Sequence, residues 1–329
     1  MNDYKEQVDP VELLPDEEAN PLPDQQVSVV EPAQHGLRLD KFLALWLNEF
    51  SRSHLQTLIE SGHVQINGEV HTSSSRRLSV GQHIKVDMIP TAQSLAFHPE
   101  PMDLHILHED KHLMVLNKPA GLVVHPAAGN WTGTLMNGLL AHHKNARLLA
   151  RAGIVHRLDK DTSGLMVVGK SDVAVTALVR AIAAREVHRQ YLAITHGLMP
   201  TVRMEVDAPM ARDPRSRIKM AIVQGGKPAR TDVDRLVLAG AFTGVRCTLH
   251  TGRTHQIRVH MASQGMPLVA DTLYGGKPAL GLARQALHAE KLEFWHPLNK
   301  QRLSWRVQPP EDFYSAWQQI DPAYQFQAE

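Results

Sequence analysis

The strongest constraint on the fold is a polar segment enclosed by two apolar runs in the middle of the chain. Nine mostly polar residues, His156 to Gly164, follow the apolar pair Ile154-Val155 and precede the apolar run Leu165 to Val168. Because buried runs fix both ends of such a loop, it can display reactive groups from a rigid scaffold. Two carboxylates, Asp159 and Asp161, lie among cations in it. They indicate either a polar turn with local salt bridges or a catalytic carboxylate that its neighbours keep ionised.

The residues GLMVVGKS, from Gly164 to Ser171, match the short pattern of a phosphate-binding P-loop. That chemistry needs a solvated loop whose backbone N–H groups wrap a phosphate. Leu165 to Val168 instead has the composition of a buried strand, so we keep a P-loop NTPase only as an alternative. A helix is predicted from Asp172 to Ala184, with Ser171 as its N-cap. Its predicted apolar stripe is Val175, Leu178, Val179 and Ile182.

A second polar cluster runs from Thr251 to His260. Thr254 is the predicted N-cap of a helix that ends near Ser263. His255 and His260 are five residues apart, which is not the i, i+4 spacing that places two metal ligands on one helical face. Since no third ligand is evident, we expect no metal at this cluster.

From Asp103 onward, short apolar runs outnumber the predicted helices. The runs are Met114 to Leu116, Leu122 to Val124, Leu165 to Val168 and Tyr191 to Thr195. Strands in groups with few helices predict an α+β domain with a mostly antiparallel sheet.

An earlier region, residues 36–88, has a different pattern. One helical face is predicted from apolar residues at i, i+3, i+4 and i+7, namely Leu39, Phe42, Leu43 and Trp46. Ser53 and Gln56 have the spacing of a capping box for a second helix, and Gly62 is its predicted end. Asn67-Gly68 between two short runs predicts a β-hairpin.

This order of helix, helix and hairpin resembles the S4 RNA-binding domain. The resemblance is carried by RLDKFLALWLNEFSRSHLQTLIESGHVQINGEV, from Arg38 to Val70. In that family, the second helix and the turn after it present basic side chains to structured RNA. The resemblance implies RNA contacts from Arg38, Lys41, Arg52, Arg76 and Arg77. The alternative is a small helix–hairpin domain with a solvated charged face.

The net charge of +1 is the sum of two unlike parts. Residues 1–31 hold nine acids and one base, a net charge of −8, so the remaining 298 residues carry +9. The acidic segment has four prolines and one aromatic residue, a composition that predicts a disordered tail. The basic remainder favours a nucleic acid as partner. Three prolines and little periodicity predict a linker over residues 89–102.

Composition also excludes several classes of protein. A single cysteine, Cys247, excludes an internal disulfide framework and a multi-cysteine metal centre, and fits the cytoplasm. The first ten residues lack the basic start and apolar core of a secretory signal. The uncharged stretch from Pro119 to His143 contains prolines, glycines and histidines, so we do not expect it to span a membrane.

Six segments between residues 103 and 310 resemble the RluA family of pseudouridine synthases. They are NKPAGLVVHPAAGN (117–130), RAGIVHRLDKDTSGLMVV (151–168), REVHRQYLAITHG (185–197), HTGRTHQIRVHMA (250–262), DTLYGG (271–276) and RQALHAEKLEFWHP (284–297). The strings HRLDKDTSG and TGRTHQIR are highly specific. The resemblance implies that residues 103–329 form a catalytic domain with a mixed, mostly antiparallel sheet and a central cleft. It also implies an isomerase that converts uridine in RNA to pseudouridine.

The resemblance assigns catalytic roles to three side chains. Asp159 is implied to be the catalytic carboxylate, either attacking C1′ of the ribose or abstracting the C2′ proton. Arg258 is implied to pair with Asp159 and orient it. Tyr191 is implied to stack on the uracil close to C5. Asp161 remains a structural residue of the loop.

Three further side chains are implied to bind the substrate. Arg157 would fill the space left by the flipped base, Ile257 would pack under the base, and His156 belongs to the same group. No cofactor and no metal is implied, because the isomerisation adds and removes no atoms. The implied partner is RNA, 23S rRNA or the pre-ribosomal large subunit, bound by a monomer in the cytoplasm. The alternatives are a non-catalytic RNA-binding or ribosome-assembly protein, or the same chemistry on another rRNA site or on tRNA.

Overall fold

A computed structural model describes residues 25–89, 94–127 and 129–326. The chain divides into two compact units between Thr91 and Ala92. Four parts of the sequence predictions lie outside the described residues: residues 1–24 of the acidic tail, residues 90–93 of the linker, residue 128 of the HPAAGN motif and residues 327–329 of the catalytic domain.

The N-terminal unit is a small antiparallel sheet covered by two helices. Its elements are β1 (Gln25–Val29), α1 (Leu39–Trp46), α2 (Arg52–Glu60), β2 (Val64–Ile66), β3 (Glu69–Val70) and β4 (His83–Asp87). The strand order is β1-β4-β2-β3. Leu39, Phe42 and Leu43 of α1 are buried in its core and Trp46 packs against them, which confirms the predicted helical face.

Both ends of α2 are fixed by specific hydrogen bonds. The N-cap is Ser51, whose hydroxyl accepts a hydrogen bond from the His54 N–H at 3.3 Å, so the prediction of Ser53 was wrong by two residues. Gly62 ends the helix as predicted, with φ +81° and its N–H bonded to the Ile59 carbonyl. Asn67-Gly68 forms the predicted hairpin turn, and both residues have positive φ.

The start of the folded chain differs from the prediction. The segment assigned to a disordered tail, residues 1–31, includes β1, which pairs along its whole length with β4. Val30 is buried in the core of the unit. Composition missed this strand because its partner lies more than fifty residues later in the sequence.

The C-terminal unit is built on a large mixed sheet. Its strands are β5 (Ile106–Glu109), β6 (Leu113–Lys118), β7 (Ser163–Gly169), β8 (His188–His196), β9 (Arg203–Asp207), β10 (Met210–Arg212), β11 (Met220–Ile222), β12 (Arg230–Ala239), β13 (Phe242–Leu249), β14 (Leu287–Trp295) and β15 (Arg302–Arg306). Its α-helices are α3 (Leu135–His142), α4 (Asp172–Ala183), α5 (Gln256–Ser263) and α6 (Glu311–Ile320). The main sheet has the order β5-β6-β7-β14-β8-β13-β12-β9, with β15 on β14, while β10 and β11 form a separate hairpin.

Within the main sheet, β7 and β14 pair in parallel and the other strand pairs are antiparallel. The α+β class and the mostly antiparallel sheet are therefore confirmed. All seven residues of β7 are buried and its ladder with β6 is continuous. The GLMVVGKS segment is thus a core strand, and its backbone cannot wrap a phosphate. The run Leu122 to Val124 is not a strand.

Helix α4 begins as predicted, because the Ser171 hydroxyl accepts from the Ala174 N–H. Its stripe is only partly in the core: Leu178 is buried, whereas Val179 is 48% exposed and faces a cleft. Helix α5 is capped by His255 in a left-handed conformation, and not by the predicted Thr254. The predicted linker is shorter than expected, because Ala96 is buried and the His98 carbonyl accepts from the amide of Asn137 on α3.

Candidate active site

One cleft in the C-terminal unit, of about 1180 Å³, collects the side chains singled out in the sequence. The polar loop after Ile154, the first half of β8 and the start of α5 all contribute to its lining. The six predicted catalytic and substrate-binding residues all line it: His156, Arg157, Asp159, Tyr191, Ile257 and Arg258. The structure brings these side chains together, and their roles remain predictions.

A buried cation fixes the backbone of the loop that carries Asp159. Lys118, at the end of β6, has no exposed surface, and its ammonium donates to the carbonyls of Pro119, Leu122 and Lys160 at 2.8, 2.8 and 2.9 Å. Burial lowers the pKa of Lys118 to about 7. The three carbonyl acceptors match the three N–H bonds of the protonated form. The loop is therefore held by a side chain that is not part of the cleft lining.

Asp159 is held by an arginine that is itself held by a second aspartate. Nη1 of Arg258 donates to Oδ2 of Asp159 at 2.9 Å. The remaining edge of the guanidinium, Nε and Nη2, donates to both oxygens of Asp271 at 2.8 Å. Asp271 is 2% exposed, whereas the side chain of Asp159 is 15% exposed and lines the cleft. The bidentate pair fixes the plane of Arg258, and the third donor then fixes Asp159.

Two opposing effects act on the pKa of Arg258. Burial alone would lower it, but the hydrogen bonds and negative charges of Asp271 and Asp159 outweigh burial and raise the pKa above its ordinary value. The guanidinium also lies 5.1 Å from the ring centroid of Tyr274, a favourable distance for a cation–π contact. Arg258 is thus a permanent cation in a fixed orientation.

His255 completes the surroundings of Asp159. Its Nε2 is 3.8 Å from Oδ1 of Asp159, and its Nδ1 is 2.7 Å from the hydroxyl of Tyr274. Burial is the largest cause that lowers the pKa of His255, so the neutral ring is favoured. The Tyr274 hydroxyl also accepts a hydrogen bond from the Met220 N–H, which ties the Tyr274 ring to β11.

Tyr191 lies on β8 between Cys247 of β13 and Ala289 of β14. Its residue is 5% exposed and its ring forms part of the core beneath the cleft. Burial raises the pKa of the Tyr191 phenol, and the charge of Asp159 raises it further. The phenol is therefore neutral at physiological pH and can act as a hydrogen-bond donor.

The three predicted substrate-binding residues have different surroundings. Arg157 is exposed at the cleft, and Ile257 is buried on α5. His156 accepts a hydrogen bond from the Val167 N–H through Nε2 at 3.0 Å. Burial lowers the pKa of His156 to about 3, with the charge of Arg189 adding to the effect, so the ring is neutral. That bond fixes the ring against β7, which gives His156 a structural role as well as a place in the cleft wall.

The cleft is strongly cationic. Among the described residues, the Asp, Glu, Lys and Arg side chains that line it are six arginines and one aspartate, Asp159. The arginines are Arg151, Arg157, Arg185, Arg189, Arg253 and Arg258. Such a lining favours a polyanion over a neutral or cationic ligand.

In the N-terminal unit, two of the five predicted RNA-binding cations, Arg38 and Arg52, are paired with an aspartate that the sequence predictions missed. Asp40 is fully buried and accepts from Arg38 at 3.0 Å and from Arg52 at 2.7 Å. The hydrogen bond from Arg38 lowers the pKa of Asp40 well below its ordinary value, against burial, and Arg52 adds to this effect. Lys41, Arg76 and Arg77 are exposed. Arg77 donates to the Gly36 carbonyl.

The residues that sequence reasoning missed share one property: each holds another part of the site, Asp271 the Arg258 side chain and Lys118 the backbone of the Asp159 loop. Asp271 stands in the DTLYGG segment, which carried the resemblance, but its role depends on a contact with Arg258. Lys118 stands in NKPAGLVV in the same way. Both residues stand in motifs that carried the resemblance, but their contacts are seen only in the folded structure.

Two family models match the chain. The model described as RNA pseudouridylate synthase matches residues 112–263, and the S4 domain matches residues 37–84. A protein from Neisseria meningitidis serogroup B, named ribosomal large subunit pseudouridine synthase D, is 47% identical over 85% of this chain and 77% of its own length. A protein of the same name from Xanthomonas campestris is 44% identical over 91% of this chain and 94% of its own.

A solved structure, human RNA pseudouridylate synthase domain containing 4, is 25% identical with a TM-score of 0.51, covering 64% of this chain and 90% of that one. The chain belongs to the RNA pseudouridylate synthase family, with an S4 domain ahead of the catalytic domain. It is an isomerase that acts on RNA.

No helix within the described residues is both long and apolar enough to cross a bilayer. No three His, Cys, Asp or Glu side chains within them are placed to hold one metal ion.

Proposed function

We propose that Asp159 is the catalytic carboxylate of a pseudouridine synthase that modifies 23S rRNA. The observation that carries the proposal is the Asp271–Arg258–Asp159 chain of charged hydrogen bonds, which holds a carboxylate at the surface of a cationic cleft. Catalysis by a fixed group needs this kind of support, because small displacements of a reacting group are costly in rate.

The reaction breaks the N1–C1′ bond of a uridine and forms a C5–C1′ bond, with loss of the C5 proton and gain of a proton at N1. The target base must leave its stack to reach a carboxylate in a cleft. Arg157, exposed at the cleft, is suited to take the place of the base, since a planar guanidinium stacks on its former neighbours. Asp159 then acts on the ribose, by attack at C1′ or by removing the C2′ proton.

Tyr191 and Ile257 hold the uracil in this proposal. The Tyr191 ring offers a stacking face, and its phenol lies within the electrostatic influence of Asp159. Tyr191 is also the proposed base, or relay to a base, for the C5 proton. Ile257 supplies an apolar contact from α5, and His156 forms part of the wall.

Ribosomal RNA is the substrate that the names of the bacterial relatives suggest. The cationic set of the N-terminal unit, Arg38, Lys41, Arg52, Arg76 and Arg77, is the proposed second contact with that RNA. One chain supplies every residue of the proposed site, so we propose a monomer as the active form. The cytoplasm, where bacterial ribosomes assemble, is the proposed location.

The catalytic assignment is tested by Asp159→Asn, with Asp161→Asn in the same loop as the matched control. Tritium release from rRNA carrying 5-tritiated uridine should fall by at least about 1000-fold in Asp159→Asn. RNA affinity should be retained, and Asp161→Asn should release tritium at the parent rate. Parent-like release from Asp159→Asn would overturn the assignment.

The substrate is tested separately, by mapping pseudouridines in RNA from cells with and without the gene. We expect specific positions in 23S rRNA to revert to uridine, and return with the parent gene but not with Asp159→Asn. Loss confined to tRNA or to small-subunit rRNA would exclude 23S rRNA and leave the chemistry intact.

A further inference from the structure

Arg189 is a buried cation without a partner. It is the second residue of β8 and is 5% exposed. In the described parts of the chain, its guanidinium makes no ion pair and no hydrogen bond, and its Nε is a buried donor left without an acceptor. The other two buried cations of this region are satisfied: Lys118 by three carbonyls and Arg258 by two carboxylates. An unpaired buried charge disfavours folding unless something else requires it.

The side chain is placed towards the cleft. Arg189 and Tyr191 are two residues apart on one strand, so they lie on the same face of the sheet, and both line the cleft. In this cleft the single lining carboxylate, Asp159, is already bonded to Arg258. Arg189 thus has no protein anion to pair with among the described lining residues, although it lies in the wall of a cleft that admits a ligand.

A glycine makes room for this arginine. A Cβ built on Gly252 would lie 2.8 Å from Nη1 of Arg189, closer than side chains tolerate. The backbone of Gly252 does not have the left-handed φ that would itself require glycine. The guanidinium therefore lies close to the place that a Cβ of residue 252 would take, while the backbone conformation there does not itself require glycine. A Cβ at this position of the loop between β13 and α5 would require the end of the Arg189 side chain to move.

We propose that Arg189 binds a backbone phosphate of the nucleotide whose base enters the cleft. A flipped nucleotide carries a phosphodiester on its 5′ and its 3′ side. The planar fork of a guanidinium matches phosphate oxygens, and the contact is strong because the site is shielded from water. This inference rests on the proposed function only in that RNA is the ligand; it adds the group of the RNA that Arg189 recognises.

The test measures whether loss of the Arg189 guanidinium and loss of charge at one phosphate remove the same contact. The probe is an RNA stem-loop around a mapped target uridine, with all phosphates intact or with one uncharged methylphosphonate on the 5′ or 3′ side of that uridine. Affinity is measured in the Asp159→Asn background, so that no turnover occurs. Arg189→Gln should weaken binding of the intact RNA by about 10- to 100-fold, the range for one charged hydrogen-bonded contact.

Neutralising the phosphate that Arg189 contacts should weaken RNA binding by the protein that retains Arg189 by a similar factor. It should not weaken RNA binding by Arg189→Gln any further. Arg185→Gln, which removes another arginine of the same cleft, is the control, and its effect should multiply with that of the methylphosphonate. The proposal would be overturned if Arg189→Gln and the methylphosphonate weakened binding independently at both linkages, so that their factors multiply. A contact between Arg189 and a uracil carbonyl would give that result.

A structural role predicts a different result for stability. If Arg189 were needed for folding, Arg189→Gln would lower the melting temperature of the free protein. Because it removes an unpaired buried charge, we expect an unchanged or higher melting temperature without RNA. Gly252→Ala, which displaces the guanidinium, should reproduce the loss of coupling. Failure of the proposed catalytic role would appear separately, as turnover by Asp159→Asn, and would leave these binding results interpretable.

Discussion

The two units use the same pair of residue types in opposite proportions. In the N-terminal unit, one buried aspartate, Asp40, holds two arginines that stay 40% and 55% exposed. In the cleft of the C-terminal unit, one buried arginine, Arg258, holds two aspartates, of which only Asp159 lines the cleft. The first arrangement has a net positive charge, which suits phosphate. The second has a net negative charge within an otherwise cationic cleft, and in the proposed function its exposed carboxylate acts on the ribose. Only the single aspartate is buried in the first arrangement, whereas in the second both the arginine and one of its two aspartates, Asp271, are buried.

Removing the shared cation of the cleft should have the largest effect. Arg258→Gln takes the donor from Asp159 and leaves Asp271 buried without a partner, so we expect tritium release to fall by about 100-fold or more. Stability should fall as well, by about 3–5 kcal/mol. In the double variant with Asp271→Asn, melting temperature should recover while activity stays low. Recovery of both would show that Arg258 acts only on stability.

Changing the buried aspartate of the same chain should have a smaller effect. Asp271→Asn keeps Arg258 but weakens the fork that orients it, so kcat should fall by about 10- to 100-fold while RNA affinity is kept. Single-turnover kinetics and binding measured together separate these quantities. Asp207→Asn, at an exposed carboxylate of β9, is the control. An equal fall in affinity and rate would contradict a positioning role for Asp271.

In the N-terminal unit, Asp40→Asn should release Arg38 and Arg52 and destabilise the fold by about 1–3 kcal/mol. The pKa of Asp40 is lowered on folding, so its contribution is present above the pKa of an unfolded aspartate, about 3.9. It is lost as the pH falls through the lower pKa of the folded state. Denaturant unfolding from pH 7 to pH 2 should therefore show a steeper acid loss in the parent than in Asp40→Asn. Glu69→Gln, at an exposed site, should keep the parent slope.

The smallest expected effect is that of one exposed cation. Arg52→Gln should weaken RNA binding modestly and reduce the slope of log affinity against log salt by about one unit, as for one phosphate contact. Arg302→Gln, at an exposed arginine paired with Glu293, should leave the slope unchanged. An unchanged slope in Arg52→Gln would mean that Asp40 already satisfies this arginine, and the surplus positive charge would then lie elsewhere.

The sequence predicted features that depend on neighbours in the chain. The helices over Leu39–Trp46 and Asp172–Ala183 and the Asn67-Gly68 turn follow from local spacing, and the family motifs placed Asp159, Tyr191 and Arg258 in one cleft. The features it missed depend on distant pairing. The strand Gln25–Val29 is defined by β4, and the role of Asp271 is defined by Arg258. Periodicity does not report such contacts, because it describes one element at a time.

The three carbonyl bonds of Lys118 have a consequence for the order of events in a catalytic cycle. The backbone next to Asp159 is bonded to a fully buried group, so we expect its conformational entropy to be lost when the protein folds and not when RNA arrives. RNA binding then does not have to order this segment of the protein. Amide hydrogens around Lys160 should consequently exchange at the same rate in the free and RNA-bound enzyme, while the adaptation to different stem-loops occurs in the nucleic acid.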